Sequence, residues 1–422
     1  MKKNGFTLVE LLSIVVILGI IVVVALPQIS GSIGSKKEKQ YNKIVKIVEN
    51  AGKVYLIENV TKDSVSIDKL IKSDYLTSGL KNPINNNNLT GCVKKITSDG
   101  VTKYKYEEEG CPTNIKEYIE KLYNDESLRE SNGLKKDNTP DANIRYHGSN
   151  PNNYVKFNNE LWRIIGVFGS NVKLVRKDIL GNLSWDTSEE NINRGWGVNQ
   201  WGESTYTDGS TYEGADLMLY LNKMYYKGET VTCYGGSNNE TTTCPTDSLD
   251  DESKTLIDNH TWNTGAPNYS VLYDSTTKTL DTLEFYKAER GNTNGKTCSG
   301  GTYCNDTVNR TTEWTGYIGL PYITDWAYAS SETDCETKID QSSTYKCKNN
   351  NWMHRSSGWT WYLSPFASSS SAYNVWNVRG GGYAYDSVAS NSNGVAPAIY
   401  LNSNVLIIKG KGTEDMPYIL SL

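Results

Sequence analysis

The plainest chemistry in the chain belongs to eight cysteines: Cys92, Cys111, Cys233, Cys244, Cys298, Cys304, Cys335 and Cys347. An even count predicts disulfides where a chain is exported. No pair has CxxC spacing and no histidine stands near one in zinc-like spacing, so no metal is expected there. The cysteines fall as neighbours along the sequence, each pair bracketing mostly polar residues. The expected bridges are therefore local: Cys92–Cys111, Cys233–Cys244, Cys298–Cys304 and Cys335–Cys347. The competing reading is a set of reduced thiols.

Other reactive groups are sparse. There are three histidines, and neither His260 nor His354 has an evident nucleophile partner in sequence. Asp247, Asp250 and Asp251 form an acidic cluster without the regular alternation of a calcium loop. No cofactor and no catalytic residue is expected. Binding chemistry is better represented. Trp352, Trp359, Trp361, Tyr362 and Trp376 crowd together near the C-terminus, and aromatic faces with a few polar groups are what a carbohydrate-binding surface needs. The competing reading is core packing. Trp359 and Trp361 stand two apart in a strand, so both point to one face, which favours the core for them. Trp196, Trp201 and Trp352 lie in polar context, where full burial is less expected, and join Trp376 as candidates. Arg379, at the head of Arg379-Gly380-Gly381-Gly382, is a candidate for an anion cradle. A tight turn that needs positive φ is the favoured alternative.

These groups must be positioned by a chain of 422 residues with net charge -5. That length predicts two or three domains. The acidic balance argues against a general nucleic-acid binder. With 11 Trp and 29 Tyr against 5 Phe, nearly all aromatics carry a polar handle.

The N-terminus reads Met-Lys-Lys-Asn-Gly, then Phe6-Thr7-Leu8-Val9-Glu10, then an uncharged run from Leu11 to Leu26. The lysines hold this end on the cytoplasmic side. Phe6 to Pro27 is about the roughly 20 residues a bilayer requires. A secretory signal peptide is the alternative. Against it stand the length of the apolar run, the lack of an Ala-x-Ala site and a glutamate inside the run, where an uncompensated charge is costly.

That constellation resembles the type IV prepilin signal. The resemblance implies cleavage after Gly5 by a prepilin peptidase and methylation of Phe6. It also implies pairing of Glu10 with the terminal amine of a neighbouring subunit, and a kink at Pro27. Partners are then other pilin subunits and the membrane assembly machinery. The protein would cross the membrane once before assembly, then sit on an extracellular pilus or the cell surface.

Beyond Pro27 a helix is expected to continue. Lys36, Lys39, Lys43 and Lys46 mark one side, and Ile33, Tyr41, Ile44, Val45, Val48 and Tyr55 the other. Two short strands, Cys92 to Thr97 and Thr102 to Tyr106, flank a turn at Ser98-Asp99-Gly100. The expected organisation is a leader at 1–5, an assembly helix at 6–27, a pilin module at 28–113, a helical connector at 114–153 and a larger domain at 154–422. The fold class is α+β: a long helix with a small antiparallel sheet, then a β-rich, disulfide-stapled domain.

From Tyr154 the order of short aromatic strands resembles a domain of uncharacterised function in surface proteins of Gram-positive bacteria. The matching residues are Phe157, Glu160, Trp162 and Arg163; Ile318, Gly319, Leu320, Thr324 and Asp325; Trp361 to Pro365; and Gly394, Val395, Pro397 and Ala398. Ala396 stands where that family has arginine. The pattern is also similar to the C-type-lectin-like fold of formylglycine-generating enzymes, whose late paired cysteines are missing here. These resemblances imply a minor pilin that presents an adhesive domain for a glycan or protein ligand. The alternative is a pseudopilin of a type II secretion or DNA-uptake machine. An anchored formylglycine-type enzyme is the third reading.

Overall fold

The computed structural model describes residues 33–98, 101–108, 111–187, 198–205, 211–236, 240–267, 273–274, 279–291, 312–339, 346–367 and 373–422. Gly5, Phe6, Glu10, Pro27, Trp196, Cys298 and Cys304 lie outside these residues. Both helices and sheets are present, so the chain is α+β. It divides into two compact units, residues 1–113 with 407–410, and residues 114–406 with 411–422.

In the first unit, α1 spans Ile33–Glu58. Its apolar side is the one expected: Ile44, Val48, Ala51 and Tyr55 are buried, while Lys36, Lys39, Lys43 and Lys46 face water. They meet a three-stranded antiparallel sheet of β1 (Ser64–Ser66), β2 (Cys92–Ser98) and β3 (Val101–Glu107). Val93 of β2 pairs with Val65 on one side and Tyr106 on the other, and all three are buried. The short α2, Ile67–Lys72, is capped by Ser66, whose Oγ accepts from the Lys69 amide at 3.1 Å. The expected Cys92–Cys111 bridge is not formed. Both residues are thiols. Cys111 donates to Cys92, and that bond, followed by burial, holds its proton well above the ordinary thiol range.

The stretch 114–153 is not a connector; it belongs to the second unit. α3 (Ile115–Asn124) buries Ile115, Ile119 and Leu122, a stripe at helical spacing. Asn114 caps it by accepting from the Lys116 and Glu117 amides. α4 (Glu126–Asn132) ends at Gly133, whose φ of 68° suits glycine. The hairpin of β4 (Leu134–Lys136) and β5 (Ile144–Tyr146) then joins the main sheet, with Ile144 opposite Val167. The charges that made this segment look solvated lie mostly on the outer side of the helices, whereas Arg145 is neutralised inside.

The main sheet of the second unit is built on β6 (Tyr154–Phe157), β7 (Glu160–Phe168) and β8 (Asn171–Arg176). A second, five-stranded sheet contains β9 (Asn182–Ser184), β10 (Trp359–Pro365), β11 (Asn374–Arg379), β12 (Tyr383–Val388) and β13 (Ser392–Gly394). Its spatial order is β9-β13-β10-β11-β12. β14 (Ala398–Leu401) pairs with β8, and β15 (Tyr418–Ser421) runs parallel beside β6. The core of the unit includes Phe285, Trp326, Tyr362 and Trp376. Two of the expected bridges are present: Cys233–Cys244 with Cα atoms 5.2 Å apart, and Cys335–Cys347 at 5.5 Å.

Candidate functional site

The second unit is held by a buried group of charges. Asp325 sits at the start of a short helix, Ile323–Tyr328, and is fully enclosed. Its two oxygens accept from Arg145 Nη1 and Lys173 Nζ, each at 2.6 Å. Arg145 Nε also donates to Asp137 at 2.6 Å. Burial works to raise the Asp325 carboxyl, yet the charges of Lys173 and Arg145 hold it below the ordinary range. Burial pushes Lys173 down to about 8 against the pull of Asp325. Glu289 lies close by, accepting from Thr324 Oγ1 at 2.5 Å, and burial pushes it up to about 7. This group is enclosed on every side and offers no surface to a substrate. Its role is to orient the helix and the strands that meet at it.

The sequence candidates separate by burial. Trp201 is fully buried against Trp185 and Trp314, at centroid distances of 4.8 and 5.9 Å. Trp376 is fully buried against Phe285 and donates Nε1 to the Pro267 carbonyl at 3.0 Å. Neither can offer a face, which corrects their place among the binding candidates. Polar neighbours in sequence did not keep Trp201 in water, because other indoles cover it. Trp352 is half-buried; its Nε1 donates to the Tyr146 carbonyl at 2.8 Å and its ring carries Arg163 at 4.8 Å. It is a packing residue with one edge in water.

Arg379 is different. Its guanidinium lies 4.1 Å from the Trp359 ring and 3.8 Å from the Tyr385 ring, with Tyr383 at 5.6 Å. Strand register explains the meeting. Trp359 stands opposite Arg379, and Arg379 opposite Tyr383, in one row across β10, β11 and β12. Tyr385 follows two residues after Tyr383, so it shares that face. Arg379 Nη1 donates to Tyr383 Oη at 3.2 Å. Trp359 is 40% exposed and Tyr385 38% exposed. The expectation that Trp359 shares the burial of Trp361 is therefore corrected. Trp361 is enclosed and bonded to the Leu183 carbonyl at 2.9 Å, whereas Trp359 begins the strand beside the exposed Ser356–Gly358 loop. The Gly-rich turn after Arg379 is a turn by geometry: Gly382 has φ 91° and donates its amide to the Arg379 carbonyl at 2.8 Å. The sequence singled out Arg379 but missed Trp359 and Tyr385 as its partners. The signal was present as alternation in Tyr383-Ala384-Tyr385, where the buried residue is the alanine between.

Among the described residues no group of three or more acidic, cysteine or histidine side chains could hold a metal ion. Among them, too, no helix is long and apolar enough to cross a membrane.

The family model of the prokaryotic N-terminal methylation motif matches residues 1–26. The chain carries a type IV prepilin-like signal. With it the chain is supported as a type IV pilin-like or pseudopilin-type protein, processed by a prepilin peptidase, anchored in the membrane before assembly and assembled with other pilin subunits. No curated protein and no solved structure matches it. The lectin-like reading of the second unit thus rests on its sequence pattern.

Proposed function

We propose that the chain is a minor type IV pilin or pilin-like surface protein that presents its large unit for adhesion or recognition. The observation that carries this is the exposed Trp359–Arg379–Tyr385 stack on a chain whose first 26 residues match the methylation motif. Aromatic faces left in water around a fixed cation are the chemistry of recognition, not of turnover. A unit of about 300 residues cannot easily sit in every subunit of a tightly packed filament, which supports low abundance. The chain reaches the cell surface through its prepilin signal and acts there by binding.

The test is adhesion by cells that make the Trp359→Ala protein. Sheared filaments are expected to contain the chain in small amounts in wild type and variant alike, with adhesion to the target surface reduced in the variant. Unchanged adhesion, or a chain confined to the membrane fraction in cells that form filaments, would overturn the proposal.

A further inference from the structure

We infer that the ligand of the Trp359–Arg379 face is an acidic carbohydrate, a chain of pyranose rings that carries carboxylates. The inference rests on the recognition reading above and adds the chemistry of the ligand.

Shape comes first. The row Trp359, Arg379, Tyr383 crosses three neighbouring strands and so spans about 10 Å. Tyr385 extends it along β12. Single exposed apolar residues need no explanation. Here two aromatic rings clasp one arginine on a single sheet face, with a side of each ring in water. A pyranose presents C–H bonds on one face, which stack on the electron-rich face of an indole or phenol. Its hydroxyls and any carboxylate project from the rim, toward whatever polar group stands beside the ring.

Charge comes second. Among the described residues the Arg379 guanidinium has one hydrogen bond, to Tyr383, and pairs with no carboxylate. A guanidinium clamped between two rings is already ordered, so binding a carboxylate with its fork costs little further entropy. More cations gather at the same turn. The exposed Lys348 side chain lies against Gly382, its Cβ 2.5 Å from where a Cβ on that glycine would sit. Burial holds His354 below the ordinary histidine range, and Lys348 and Arg355 add to this, which places both near that ring; His354 in turn bonds the Gly380 backbone. The acidic neighbours are turned away or matched. Asp386 follows Tyr385, so it belongs to the opposite face, where it accepts from Asn374 Nδ2 at 2.5 Å. Asp178 lies near Arg355 and acts on it. A local excess of cations on a chain of net charge -5 selects an anion, and the rings select a ligand with stackable faces. Single-stranded nucleic acid also has rings and anions. It needs a basic groove that tracks its backbone, and an acidic chain with one short basic row does not supply that.

The test uses the full-length processed protein in detergent micelles. Three probes are immobilised: polygalacturonate, the same polymer with its carboxylates reduced to alcohols, and single-stranded oligo-dT. Expected is salt-sensitive binding to polygalacturonate, at least tenfold weaker for the carboxyl-reduced polymer. Arg379→Gln and Trp359→Ala are each expected to weaken it tenfold or more, while Arg379→Lys retains part of it. Melting temperatures of the variants identify any that fail to fold, and Tyr385→Ala then serves as the second probe of the face. Equal binding of both polymers, lost in Trp359→Ala, would overturn the acidic ligand and leave the recognition reading standing. Preference for oligo-dT would overturn the carbohydrate class. Binding that no variant weakens, or no binding of any probe, would overturn the inference.

Discussion

Asp325→Asn should be among the most damaging single changes in the second unit. The substitution preserves shape but removes the charge shared by Arg145 and Lys173, each 2.6 Å away. Arg145 keeps Asp137. Lys173 keeps no other carboxylate in an ion pair among the described residues, and its side chain is fully enclosed. Breaking a buried ion pair from one side costs about 3–5 kcal/mol. Lys173 already titrates near 8, so without Asp325 it loses its proton below neutral pH, which limits the damage to the lower end, about 3 kcal/mol. At roughly 2–4 °C per kcal/mol, the melting temperature falls by about 6–12 °C. The sign with pH follows from the depressed Asp325 carboxyl. Its contribution is full above the unfolded value of 3.8 and is lost as pH falls below it. The gap between wild type and variant should therefore close in acid. Calorimetry of the full-length protein in detergent at pH 7 and pH 2 measures both. A second variant, Asp325→Asn with Lys173→Met, should recover part of the loss, because the buried amine left without its partner is then replaced by an apolar side chain. A loss below about 1 kcal/mol at pH 7 would show that Asp325 does not hold the two buried cations in place.

Three further outcomes are expected, at Glu289, Gly5 and Glu10. Glu289 is pushed up to about 7 from 4.5, so wild-type stability is greatest below the unfolded value and falls as pH rises through 7. Glu289→Gln should raise the melting temperature at pH 8, the equivalent of up to about 3 kcal/mol of stability, and leave it nearly unchanged at pH 4; the reverse ordering would contradict the assignment. Gly5→Val should block leader cleavage, which mass spectrometry reads as retention of Met1 to residue 5 instead of a mature terminus at Phe6. Glu10→Ala should leave the chain in the membrane but out of sheared filaments, since a carboxylate in an apolar span is expected to be paired with a partner; normal incorporation would refute that pairing.

Local signals in the sequence translated well into structure. The buried side of α1 followed its 3.6-residue period, and the hairpin around Ser98 and the bridges Cys233–Cys244 and Cys335–Cys347 followed from short-range spacing. What stayed hidden depends on partners distant in sequence. Residues 114–153 look charged and loose until Arg145 meets Asp325, 180 positions away. Trp201 looks exposed until Trp185 and Trp314 close on it. Trp359 and Trp361 have the same alternation in sequence, and only the Trp185 ring packed on Trp361, with the Leu183 carbonyl that its Nε1 reaches, distinguishes the buried indole from the exposed one. The candidate site was visible only as Arg379, because its two ring partners come from separate strands brought together by register.

We read the exposed aromatic row on the second unit as the recognition surface of a pilin-like protein. Binding of the full-length protein to an array of immobilised polysaccharides checks this role, with wild type beside the double variant Trp359→Ala, Tyr385→Ala. Both side chains are more than one-third exposed, so the melting temperature of the double variant should stay within a few degrees of wild type. Wild type is expected to bind at least one polysaccharide, and the double variant to lose tenfold or more of that binding while still folded. Equal binding by a folded double variant, or no binding by wild type to any polysaccharide, would contradict it.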